Sequence, residues 1–145
     1  MERTIDDTIV YVLFLTRHIR GGDVPAALLA LLVELGFSPS WDGFGYLRKI
    51  ILMRYENPDL RFNELYREVG QQCVPALSSE QVEQAIRSAI DAAWKNRDDT
   101  EWRYIFPNRK GKAAKRPSNG DFIATMACVM ELWCSGCREV YYETK

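Results

Sequence analysis

A single histidine, His18, occurs in the 145 residues. No glycine-rich phosphate loop, GxSxG elbow or paired-carboxylate motif accompanies it. Without these spacings the sequence makes no case for an enzyme, and no cofactor is expected. An excess of positive charge is also missing. Nineteen Lys and Arg against twenty Asp and Glu leave a formal net charge of −1, so any basic surface must be local. Long apolar runs are lacking too. The longest, Ile9 to Leu15, is too short to cross a bilayer, and Glu2, Asp6 and Asp7 stand where a secretory signal would be cationic. These absences point to a cytoplasmic protein with no membrane partner and with its four cysteines reduced.

Those cysteines offer little chemistry. Cys134 and Cys137 form one CxxC pair, whereas a tetrahedral zinc site wants two close pairs. Cys128 is six residues before Cys134 and Cys73 is far away. A redox CxxC would normally sit beside a βαβ pattern, and none is visible. Structural or incidental cysteines are expected, and no metal.

What the chain does have is apolar spacing of helical period. Hydrophobic residues make up 47% and charged ones 27%, a globular composition long enough for one core. Strand alternation, internal repeats and low-complexity segments are not found. Ile5, Ile9, Val12, Leu13 and Ile19 predict a helix over Thr4 to Arg20, broken by Gly21-Gly22. Pro25 opens a second helix, apolar almost all round and stopped by Gly36. SPSWDGFG, residues 38–45, reads as a turn-rich connection. A third helix is expected over Tyr46 to Tyr55, ended before Asn57-Pro58, and a fourth from about Asn63 to Gln72.

The fifth helix, residues 78–95, is the best specified. Val82, Ala85, Ile86, Ala89, Ile90 and Ala93 line one face, and Ser78 with Gln81 has capping-box spacing. A short sixth helix covers about Asp99 to Phe106, with Asp98 or Asp99 as its cap. Phe122 to Trp133 forms the last long helix, with Ser118 and Asp121 spaced as a cap, and the residues after it are left unassigned. The fold class is all-α: a compact bundle of about six to seven helices containing a helix–turn–helix.

Two features carry functional meaning. The outer face of the fifth helix bears Glu80, Gln84, Arg87, Ser88, Asp91 and Lys95, and Gln81, Gln84, Arg87 and Ser88 could meet base edges. Arg can hold two acceptors of guanine and Gln the acceptor–donor pair of adenine, so this face suits the major groove if the fourth helix and a turn precede it. The ordinary alternative is a solvated surface. The second feature is charge. Residues 107–117 hold Arg109, Lys110, Lys112, Lys115 and Arg116, a charge of +5 against −6 elsewhere. Such a segment can position a protein on phosphates, or it can be a solvated loop.

Three segments in this order have a familiar form. LLVELGFSPSWDGFGYLRKIILM, VEQAIRSAIDAAW and KRPSNGDFIATMA together resemble the C-terminal effector domain of the stage-zero sporulation protein A response regulators, over about residues 28 to 133. The resemblance implies an all-helical DNA-binding domain that binds short promoter boxes as dimers or tandem copies, and a role at entry into sporulation. Glu83 and Arg87 match the family's recognition-helix Glu and second Arg. Gln84 replaces an Arg of the family pattern and Ser88 replaces a His. The domain division this implies is an extra N-terminal helix at 1–22, the effector domain at 23–137 and a tail at 138–145.

Double-stranded DNA is therefore the expected partner. Gln81, Glu83, Gln84, Arg87 and Ser88 would meet bases. Ser79, Lys95, Arg97, Arg109, Lys110, Lys112, Lys115 and Arg116 would meet phosphates. Residues 1 to 27 are too few to form the family's receiver domain. Either the chain acts constitutively, or a partner controls it, or the N-terminal helix makes a homodimer contact. The competing expectation is a protein-interaction module on the same scaffold, favoured by the acidic balance and by the changes at Gln84 and Ser88.

Overall fold

The computed structural model describes the backbone of residues 5–106 and 115–143, and side chains of residues 8–106 and 115–136. Seven helices run through the described residues: α1 Ile5–Leu15, α2 Val24–Glu34, α3 Asp42–Glu56, α4 Phe62–Gln72, α5 Ser79–Lys95, α6 Asp99–Ile105 and α7 Asn119–Glu143. The all-α bundle read from the sequence is the fold.

α3 is the central rod. It packs on α7 along one side and on α5 and α4 along the other. Leu47, Ile50 and Ile51 of α3 are fully buried, as are Val82, Ile86 and Ile90 of α5 and Phe122, Ile123, Met126 and Met130 of α7. An aromatic cluster fills the space between α5, α6 and α7. Trp102 meets Trp94 edge-on at 5.5 Å and lies against Phe122 and Phe106. Its indole N–H donates to the Leu35 carbonyl at 2.9 Å, which satisfies the one polar atom that burial would strand.

Several expected boundaries need correction. α3 begins at Asp42, inside the stretch that reads as a turn. Gly43 is not a helix breaker here. A Cβ at that position would overlap the Ala85 carbonyl, so glycine is what lets α3 cross α5 at close range. α7 begins at Asn119, directly after the Ser118 cap, whose hydroxyl accepts the Asp121 N–H at 3.1 Å. It runs on through the CxxC to Glu143, where the sequence suggests only a tail.

α1 is shorter than expected, ending at Leu15 rather than near Arg20. It lies against α7, α6 and α2. Thr16, just after it, accepts the Trp133 indole N–H at 2.7 Å and donates to the Val12 carbonyl. Tyr11 stacks flat on Tyr104 of α6, with centroids 4.1 Å apart, and its hydroxyl donates to Glu101. Burial, and then the Glu101 carboxylate, raise the Tyr11 phenol pKa far above its ordinary value. No helix among the described residues is long and apolar enough to cross a membrane.

Candidate nucleic-acid interface

The turn between α4 and α5 spans residues 73–78. Gly70, buried near the end of α4, lies so close to Leu77 that a Cβ would overlap the Leu77 carbonyl. The Gly70 carbonyl accepts N–H bonds from Cys73 at 3.2 Å and Leu77 at 3.0 Å. This closes the turn tightly and fixes the angle at which α5 leaves it. Ser78 then caps α5 as the sequence predicts. Its hydroxyl accepts the Gln81 N–H at 3.2 Å, and the Gln81 side-chain oxygen accepts the Ser78 N–H at 2.9 Å.

With its apolar face buried, α5 turns Gln81, Gln84, Arg87 and Ser88 outward, and Glu83 is half-buried beside them. These residues are already linked. The Arg87 guanidinium donates to Glu83 at 2.9 Å and to the Gln84 side-chain oxygen at 3.0 Å. The Gln84 amide donates to Ser88 Oγ at 3.4 Å. Arg87 remains 51% exposed, so its ties are surface ties worth about 0–1 kcal/mol and can be exchanged for a ligand. Gln81 is the least available of the group, because its side-chain oxygen is held in the capping box.

The expected phosphate contacts divide. Ser79 is half-buried in the first turn of α5. Lys95 is exposed and pairs with Asp91 at 3.0 Å. Arg97 is committed within the fold: it lies over the Trp94 ring at 3.5 Å, pairs with Asp99 at 2.6 Å and donates to the Trp94 carbonyl. Lys115 is exposed. Arg116 reaches α5, donating to the Arg87 carbonyl at 2.9 Å and lying 3.5 Å from Asp91. Arg109, Lys110 and Lys112 lie outside the described residues. The described end of the basic segment is thus fastened to the outer edge of α5, on the same side as Arg87.

Sequence reasoning missed Asn119. It is 8% exposed, and its amide donates to the Glu83 carbonyl at 3.0 Å, so the start of α7 is stapled to α5. Nothing in helical periodicity marks it; only the PSN of the resemblance draws attention to the position. Asp91 was also missed as a site residue, although its spacing to Lys95 is that of a helical ion pair. Between these elements is a depression of about 310 Å³, lined by Tyr66, Glu83, Arg87, Arg116 and Asn119 among others. Burial pushes the Tyr66 phenol pKa up, and the Asn119 amide opposes that shift, so the phenol stays neutral in this wall. Among the described residues no three His, Cys, Asp or Glu side chains gather as a metal site.

A tight turn delivering a helix whose outer face is polar and flanked by cations is the architecture of helix–turn–helix domains, the DNA-binding class of transcription regulators. The chain belongs to one family within it: residues 28–130 match the family described as sporulation initiation factor Spo0A C terminal. The match spans from within α2 into α7 and includes the whole of α4, the turn and α5. α1 lies outside it.

Proposed function

We propose that this domain reads a short duplex sequence in the major groove through the outer face of α5, and so regulates transcription at the onset of sporulation. Arg87 is the principal base-reading residue, directed at guanine. Gln84 and Ser88 contact neighbouring positions, and Glu83 either orients Arg87 or accepts from a cytosine amino group. Gln81 takes part through its amide N–H groups, since its oxygen belongs to the cap. Lys95, Lys115 and Arg116, with Arg109, Lys110 and Lys112, hold phosphates; Ser79 adds a contact from the first turn of α5. Arg97 acts indirectly by fixing the end of that helix. The observation that supports this reading is the bond from Arg116 to the Arg87 carbonyl, which holds that one cation beside the outer face of α5.

A second reading has its own support. Glu83 and Asp91 sit on the same face and pair with Arg87, Lys95 and Arg116, so most of its positive charge is offset. A face offset in this way also suits a protein partner. Selection of duplexes from a random pool at two salt concentrations separates the two readings. DNA reading requires an enriched motif, whose affinity falls as salt rises and whose strongest position relaxes in Arg87→Ala. A pool that stays random at low salt removes the first reading and leaves the second.

A further inference from the structure

The depression between α4, α5 and the start of α7 contains a polar group that the fold does not satisfy. Asn119 belongs to its lining and is 8% exposed. The Asn119 amide donates to the Glu83 carbonyl at 3.0 Å. Its side-chain oxygen, Oδ1, is buried too and has no hydrogen-bond partner. Burying an acceptor without a donor is unfavourable, so a ligand that brings a proton to this wall is favoured.

The same wall suits negative charge. The first helical bond of α7 runs from the Phe122 N–H to the Ser118 carbonyl, at 2.9 Å. The main-chain N–H groups of Asn119 and Gly120 therefore precede the helical ladder, at the positive end of a 25-residue helix. Arg87 and Arg116 join them in the lining, against one carboxylate, Glu83. Donors for an anion and acceptors for a proton thus share one space of about 310 Å³. A bare anion suits only the donors and is repelled by Glu83. Hydrogen phosphate suits both sets, because at neutral pH it has charged oxygens and a P–OH. Sulfate has the same shape and no proton, and a phosphodiester of a DNA backbone has none either. We propose that this depression binds free hydrogen phosphate, its charged oxygens meeting Arg87, Arg116 and the start of α7, and its P–OH shared between Asn119 Oδ1 and Glu83. Phosphate binding is measured without duplex, so its failure and the failure of the DNA reading are separate results.

The test is a titration of the full chain at neutral pH and matched ionic strength, followed in proton–nitrogen correlation spectra. The probes are inorganic phosphate, sulfate and dimethyl phosphate. Phosphate should give saturable shifts centred on Asn119 and Gly120. Sulfate and dimethyl phosphate should bind at least about tenfold more weakly, the loss expected when a hydrogen bond to a charged acceptor is not made. Glu83→Gln should narrow the gap between phosphate and sulfate by at least about threefold, because an amide can donate to an unprotonated oxygen. Arg116→Gln should weaken phosphate by at least about fivefold, with the melting curve checking that the chain is folded. The phosphate-to-sulfate ratio of the unaltered chain needs no variant, so it decides the matter even if both variants unfold. Equal binding of phosphate and sulfate overturns the proposal and leaves an ordinary basic surface. Absence of saturable shifts at Asn119 and Gly120, or a gap unchanged in folded Glu83→Gln, overturns it as well.

Discussion

The two sides of α5 are built on opposite terms. Its inner side has no slack: Ile86 and Ile90 are fully enclosed, α3 approaches where only glycine fits, Gly43 against Ala85, and Gly70 of α4 closes on Leu77 in the turn just before the helix. Its outer side is held by exposed ion pairs and side-chain hydrogen bonds that water or a ligand can replace. On the proposed reading, the difference separates stability from recognition. The inner side decides where the helix stands, and the outer side decides what it can touch.

The largest expected effect breaks the inner side. Ile86→Ala removes a fully buried side chain and should destabilise the domain by about 2–5 kcal/mol, read as a lower urea midpoint. Gly43→Ala comes next. It forces α3 and α5 apart, and a loss of about 1–3 kcal/mol is expected; binding should fall with stability, because the helix is displaced. Arg87→Ala sharpens the contrast. Thermal melting should move by less than about 0.5 kcal/mol equivalent, while discrimination at one base pair drops by about 1–3 kcal/mol in competition binding. Glu83→Gln should have the smallest effect and the opposite sign. Removing a negative charge from the face should tighten non-specific duplex binding at low salt by a few-fold, about threefold, with stability unchanged. If Ile86→Ala and Arg87→Ala shift stability and specificity in the same proportion, the division between the two sides is wrong.

Periodicity made α5 legible. Six apolar positions and a capping box placed it to within a residue, and the bundle class followed from the lack of any competing period. What stayed hidden depends on contacts distant in the chain. SPSWDGFG has the composition of a turn, and only the approach of Ala85 shows why Gly43 lies inside a helix. The extension of α7 past Trp133 was obscured by Ser135 and Gly136, local helix-weakening residues that docking against α1 overrides. Gly136 itself faces Ile9 and Leu13. The outer face was legible as a set of residues but not as a network. No spacing rule announces that Arg116 will bond to a carbonyl 29 residues earlier, or that Arg97 will be occupied by Trp94 and Asp99.

The fastenings from Arg116 and Asn119 end on main-chain oxygens of α5, at Arg87 and Glu83, rather than on the side chains of those residues. Every amino acid supplies the same carbonyl. The vocabulary written on the outer surface can therefore be changed position by position without loosening the frame that presents it. A lineage could change what that surface presents while the mounting stays as it was.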